Sequence, residues 1–230
     1  MEQIISIKDR INTDYYFINE TIEEYCESFQ VLNSCREEIE KAVMIMIECY
    51  ERKGKVLVCG NGGSAADSQH IVCELMKSFK VNRKLSRINN KLTKVSKKEE
   101  YILNNLEQGL PAINLTSDMG LITAICNDIN SDLIFAQQIY SLAGDNDVVI
   151  LISTSGNSKN ICEAAITSKL KKLKIIGLTG IDGGYLNNKC DALIKSPYDD
   201  TPRIQEVHVL IYHIICELVE KYFFDNNWEG

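Results

Sequence analysis

The chain has 230 residues, 45% of them hydrophobic, with a formal net charge of −7 and a pI near 5.1. That length can bury a full core as one domain, and the acidic balance argues against nucleic acid as the main partner, because phosphate backbones are gripped by clustered Lys and Arg. No apolar run reaches the roughly 18 residues a membrane span needs, and Met1–Arg10 lacks the apolar stretch of a secretory signal, so a cytoplasmic protein with no membrane partner is expected.

The first 53 residues read as helix. Ile5, Ile11, Tyr15, Ile18, Ile22 and Tyr25 recur at helical spacing, a break falls at Leu32–Ser34, and a second helix follows over Arg36 to Arg52, with Gly54 as its stop. From Lys55 the pattern changes. Short apolar runs at Lys55–Cys59, Ala112–Leu115, Val148–Ser153, Lys174–Thr179 and Ala192–Ile194 are each bounded by Gly, Asn, Asp or Pro. Buried parallel strands look like this, because helices cover both faces.

Helical stretches lie between them, near Ser64–Phe79, Leu121–Cys126, Leu133–Leu142 and Asn160–Leu173, and a long one runs from Pro202 to Phe224. Alternating strand and helix predicts an α/β fold: a doubly wound, mostly five-stranded parallel sheet flanked by helices, in a single domain. Residues 80–108 break the alternation. They are rich in Lys, Asn, Arg, Ser and Glu, and read as a surface insertion with a short helix at Glu99–Leu106, either a solvated excursion or a lid over the site. The nine cysteines are odd in number and contain no C-x-x-C. Cys59, Cys73, Cys126 and Cys216 sit in apolar runs and are expected to be reduced core residues.

Ligands of such sheets bind beyond the carboxyl ends of the strands. The first strand ends in Cys59-Gly60-Asn61-Gly62-Gly63-Ser64 and the third in Ser153-Thr154-Ser155-Gly156-Asn157-Ser158, each followed by a helix. Glycines admit a ligand close to the backbone, and helix-start N–H groups and hydroxyls hold an anion. A tight turn would use the same glycines, and an ordinary helix cap would explain Ser158, but neither accounts for the whole hydroxyl cluster. Phosphate binding is the expectation.

His70 and Glu74 stand four apart, on one helical face. Alone, that pair would be a surface hydrogen bond. The other two histidines, His208 and His213, lie on the last helix with Gln205, and at least one of these three polar residues is expected to be buried.

Gly60-Asn61-Gly62-Gly63-Ser64-Ala65-Ala66-Asp67-Ser68-Gln69-His70, Ser153-Thr154-Ser155-Gly156-Asn157-Ser158 and Arg203-Ile204-Gln205-Glu206-Val207-His208 together resemble the bacterial phosphoheptose isomerases of the sugar-isomerase (SIS) domain class. Asn127-Asp128 and Leu178-Thr179-Gly180-Ile181-Asp182-Gly183-Gly184 extend the resemblance, which covers nearly the whole chain except the insertion. It implies an aldose–ketose isomerase acting on sedoheptulose 7-phosphate, in heptose supply for lipopolysaccharide or capsule.

By the same resemblance, Asn61, Gly62, Gly63, Glu74, Asn127, Asp128 and Gln205 contact the sugar phosphate, and Ser153, Thr154, Ser155 and Ser158 hold its phosphate. Glu74 and His213 match the catalytic pair. His70, Glu74, Gln205 and His213 match the ligands of one Zn²⁺ per subunit, and a homotetramer with sites near subunit boundaries is implied. The N-terminal helices, a pair attached to a complete α/β sheet, are expected to serve as its subunit contacts. Two other readings share this fold: a non-catalytic, replication-initiator-associating regulator, and an isomerase of another phosphosugar. The regulator lacks counterparts of Glu74 and His213, which are present here. Gln205 and His213 lie eight residues apart, about 12 Å along a straight helix, so a shared metal would need outstretched side chains, a bent helix or a second subunit.

Overall fold

The computed structural model describes residues 7–85 and 96–225, with side chains in the first helix described from Phe17 onward. Ile5, the side chains of Ile11 and Tyr15, and the middle of the predicted insertion, 86–95, lie outside the described residues.

Two helices come first: α1 (Ile7–Ser28) and α2 (Arg36–Glu51), joined by a 3-10 turn over Gln30–Cys35 at the expected break. Then strands and helices alternate: β1 (Val56–Gly60), α3 (Gly63–Met76), α4 (Lys97–Asn105), β2 (Ala112–Asn114), α5 (Met119–Asp128), α6 (Ile134–Leu142), β3 (Val148–Ile152), α7 (Lys159–Leu170), β4 (Lys174–Thr179), β5 (Ala192–Lys195) and α8 (Thr201–Phe224).

The five strands are all parallel, in the order β2-β1-β3-β4-β5. The chain leaves β1 to one side for β2 and returns to the other side for β3. The switch point of the sheet therefore lies between the carboxyl ends of β1 and β3, where the two Gly/Ser loops emerge.

Alternation along each strand feeds two cores. Val56 and Val58 of β1, with Val148, Ile150, Ile176 and Ile194, pack under α1, α2, α3 and α8. Leu57, Cys59, Val149, Leu151 and Ile175 pack under α6 and α7, against Phe135, Ile139, Ile161 and Ala164. Both faces being covered explains why β1 and β3 are buried at every position. The buried face of α2 is spent within the chain, on α8, β3 and β5.

Two sequence expectations need correction. Cys73 and Cys126 are exposed, not core: each sits on the outer face of an amphipathic helix, where an apolar neighbourhood in sequence does not mean burial. Cys26, Cys35, Cys49, Cys59 and Cys216 are the buried thiols, and burial pushes Cys35 up to about 11 and Cys49 to about 12. The insertion, in turn, does not begin as a surface segment. Arg83 is only 1% exposed. Its Nε donates to Glu220 at 2.7 Å, and its other nitrogens cap α3 at the carbonyls of Leu75 (2.7 Å) and Glu74 (3.2 Å). That cap stops α3 at Met76, three residues short of the expected Phe79. The expected short helix exists as α4, opened by a Ser96–Glu99 capping box and bearing no buried residue.

Candidate active site

The loop after β3 is shaped by its own polar groups. Asn157 N–H donates to Ser155 Oγ (3.1 Å), its amide donates to Ser155 O (3.0 Å), and its carbonyl accepts from Tyr185 N–H (2.9 Å). Gly156 has φ +65°, and a Cβ there would collide with the carbonyl oxygen of Gly183. Only glycine lets the β3 and β4 loops nest this closely. Ser153 and Ser158 face each other, Oγ to Oγ at 3.2 Å, while Thr154 and Thr201 hydroxyls stand 3.5 Å apart.

Ser158 occupies the N-cap of α7, yet its side chain makes no capping bond. The ordinary-cap explanation of this serine fails. Its hydroxyl belongs to the cluster, and the helix start is left open toward an anion.

The loop after β1 lies alongside. Asn61 and Asn160 exchange two amide hydrogen bonds, at 2.8 and 2.9 Å, stitching this loop to the first turn of α7. Gln205 from α8 lies over Gly63, where any Cβ would strike its amide. Gly63 is thus the position that lets Gln205 reach the start of α3. Asn127 and Asp128 are exposed at the end of α5, where the Asn127 amide donates to Asp128 (2.7 Å). Just beyond, Asp132 pairs with Lys159 at 2.8 Å, tying that end to α7.

A second cluster forms further along α3. This helix and α8 run side by side in the same direction: Gly63 meets Gln205 at one end, and His70 meets Tyr212 and His213 two turns on. His70 Nε2 is 3.2 Å from Glu74 Oε1 and 3.3 Å from His213 Nε2. Glu74 is buried, and its Oε2 has no hydrogen-bond partner, although the Lys77 ammonium stands 3.6 Å away. At that distance Lys77 contributes charge rather than a bond. Desolvation first, and the neighbouring His70 second, lower the pKa of His213, so this imidazole favours its neutral form.

His208 behaves as a core histidine. It is fully buried, Nε2 lies 3.1 Å from the carbonyl of Thr179, and desolvation lowers it to about 4. That carbonyl only accepts, so Nε2 carries the proton.

The structure brings together Glu74, His70 and His213, and separately Asn61, Gly62, Gly63, Ser153, Thr154, Ser155, Ser158 and Gln205. It does not bring Gln205 to the other three expected metal ligands. Among the described residues, no group of three or more His, Cys, Asp or Glu side chains is arranged to hold a metal ion.

Several residues at the seam escaped the sequence. The Phe79 ring stands 5.4 Å from that of His213. Glu220 accepts from the backbone N–H groups of Phe79, Lys80 and Val81 as well as from Arg83, fixing the start of the insertion beside the cluster. Asp67 and Tyr212 support His70. Helical spacing hints at Asp67, three residues before His70; nothing in sequence links Arg83 to Glu220, 137 residues away.

A family model described as the SIS domain matches residues 19–108 and 101–180. The phosphoheptose isomerase of Helicobacter pylori is 38% identical over 221 residues, covering 96% of this chain and all of that protein. That of Clostridium acetobutylicum is 42% identical over 188 residues, 82% of this chain and 84% of the relative. Among solved structures, a phosphoheptose isomerase from Francisella tularensis superposes with a TM-score of 0.70 at 33% identity, over 94% of this chain and all of the other. The Neisseria gonorrhoeae phosphoheptose isomerase gives 0.66 at 31%, with the same coverage. No helix among the described residues is long and apolar enough to cross a membrane.

Proposed function

The chain belongs to the phosphoheptose isomerases of the SIS-domain family, and we propose that it interconverts sedoheptulose 7-phosphate and D-glycero-D-manno-heptose 7-phosphate through a cis-enediol. One observation carries the reading: a buried carboxylate, Glu74, held against His70, whose imidazole in turn meets His213, in a chain whose sheet switch point carries a hydroxyl-lined anion cradle.

Ketose and aldose differ by a proton moved between neighbouring carbons and a carbonyl moved the other way. Glu74 takes the proton from C1, and its electron pair forms the C1–C2 double bond while the C2 oxygen gains a proton. Collapse of the enediol passes the O1 proton away, and Glu74 returns its proton to C2. His213, with its pKa lowered, accepts and returns the hydroxyl proton. The phosphate sits on Ser153, Thr154, Ser155 and Ser158 at the open start of α7, where neutral donors and the helix dipole replace a lysine. Asn61, Gly62, Gly63, Asn127, Asp128 and Gln205 shape the sugar's bed.

The two clusters belong to different copies of the chain. Glu74 lies eleven residues along α3 from Gly63, about 16 Å of helix. From C1 to the phosphorus a seven-carbon sugar phosphate has eight bonds, comparable to between two and three residues of extended backbone, or about 9 Å. A substrate seated in one cradle therefore meets the Glu74 of a neighbour, which supports a homotetramer with sites at its boundaries. The free thiols support a cytoplasmic setting.

The zinc set His70, Glu74, Gln205 and His213 does not fit one chain, because Gln205 is two turns from His213 and the two imidazoles are bonded to each other. Zinc shared between copies is tested by metal analysis of the assembled protein, with one zinc per chain as the expected result.

Proton NMR of sedoheptulose 7-phosphate with the purified protein tests the reaction. New aldoheptose 7-phosphate signals are expected; no conversion by folded, zinc-supplied protein would overturn it.

A further inference from the structure

Arg83 and Glu220 form an ion pair in which neither side chain reaches water. Removing two charges from water costs about as much as their attraction gives back, so an apolar pair of similar size would often serve stability as well. An apolar pair could not supply the bonds around this one. Arg83 Nε donates to Glu220 Oε1, while its two terminal nitrogens donate to the carbonyls of Leu75 and Glu74 at the end of α3. The Glu220 carboxylate also accepts from successive backbone N–H groups: Phe79 (2.7 Å) on Oε1, Lys80 (2.6 Å) and Val81 (3.0 Å) on Oε2. The guanidinium lies over the Phe224 ring at 4.6 Å.

The pair reaches both acting groups of the seam indirectly. Glu74 is held through its own carbonyl, so the guanidinium sets the backbone that carries this carboxylate. His213 precedes Glu220 on α8 by about two turns, which places both on one helical face. The segment that Glu220 holds by its amides leaves the Phe79 ring 5.4 Å from that of His213. On the other side the segment is tied to the far end of the insertion. Ser78 N–H donates to Glu107 (2.8 Å), and Gln108 N–H donates to the Arg83 carbonyl (2.9 Å).

We propose that the Arg83–Glu220 pair is a positioning device for the isomerisation: Arg83 sets the end of α3 and with it Glu74, and Glu220 seats Phe79 as a wall against the His213 ring. The proposal rests on the isomerase reading, in which Glu74 and His213 act at the substrate. It holds whether those two side chains carry protons or hold a metal, because the pair acts on backbone and ring placement. A guanidinium suits the task, since its planar fork spans a carboxylate and two carbonyls at once, whereas a lysine ammonium is a point charge on a flexible stem.

The test uses the full chain and two readouts: amide hydrogen exchange without substrate, and turnover measured well below each variant's melting temperature. Arg83→Lys keeps a cation beside Glu220 but cannot span both carbonyls. Exchange in the last turn of α3 is expected to rise roughly tenfold. In the same variant kcat should fall roughly tenfold or more with KM within about twofold, since the residues that bind the phosphate are untouched. Glu220→Gln should speed exchange at Phe79, Lys80 and Val81. Phe79→Leu keeps every backbone bond and removes the flat ring, so kcat should fall several-fold while exchange at the end of α3 stays native.

An Arg83→Lys protein with native kcat, or with native exchange at the end of α3, overturns the proposal. A Phe79→Leu protein with native kcat overturns it for His213. If Arg83→Lys does not fold, Phe79→Leu and the exchange pattern of Glu220→Gln decide. Native amides at 79–81 that exchange as fast as an exposed loop also overturn it. Exchange is read without substrate, so a native chain that converts no phosphosugar defeats the isomerase reading while the amides still report on the clamp.

Discussion

The cradle between β1 and β3 and the seam between α3 and α8 are built by opposite means. The cradle is built from loops: Ser155 and Asn157 bond within one loop, Asn61–Asn160 and Tyr185–Asn157 tie that loop to its neighbours, and glycines permit the backbone path. The seam is non-local: Glu74, His70 and Asp67 come from one helix, Tyr212 and His213 from another some 140 residues later, and burial does the organising. Binding an anion needs pre-set donors at the surface, whereas moving a proton needs groups drawn partly out of water, where their partners decide their protonation. Damage should therefore differ in kind: seam changes lower turnover with the fold intact, and cradle changes disturb backbone or affinity.

The largest effect is expected at the seam. Glu74→Gln keeps shape and removes the base, so kcat should drop by about a thousandfold while the melting temperature stays within a few degrees. Stopped-assay NMR and a thermal melt check both halves. In the cradle, Gly156→Ala forces a side chain into a positive-φ position against the Gly183 carbonyl, and should cost about 3 kcal/mol or more in urea unfolding.

A comparable figure comes from His208, which supports neither region directly. Its folded pKa, about 4, lies below the unfolded value near 6.5, so the unfolded chain binds the proton first. Its contribution is complete above pH 6.5 and is lost as pH falls toward 4, up to about 3 kcal/mol. Urea titrations across that range should show this loss flattened in His208→Gln. The smallest change is Gly63→Ala. There the colliding atoms are the flexible end of Gln205, which can swing away, so stability should hold while KM rises about tenfold.

The same contrast explains what could be read from sequence. Strand–helix alternation and both Gly/Ser loops were legible, because local residues dictate local backbone. His208 and His213 were distinguishable only in part: the last helix announced a buried polar residue, but which one faces Thr179 and which faces His70 depends on how α8 is rotated against α3. Arg83 was hidden inside a polar stretch that looked wholly solvated, because its partner Glu220 is supplied by the far end of the chain. Cys73 and Cys126 misled for the converse reason, apolar neighbours on the wrong helical face. Tyr212 carries no signal of its own in the sequence, and its hydroxyl acquires partners only when Asp67 and His70 stand across from it.

The measurement that bears most directly on the account is a subunit-mixing assay with sedoheptulose 7-phosphate. Glu74→Gln has an intact cradle and no base; Ser153→Ala with Ser155→Ala has the base and a poor cradle. Each alone should be inactive. Unfolded together and refolded as mixed assemblies, they should regain a measurable fraction of native turnover, because a cradle from one copy then meets Glu74 from another. Mixed assemblies as inactive as either parent would contradict the division of the site between copies.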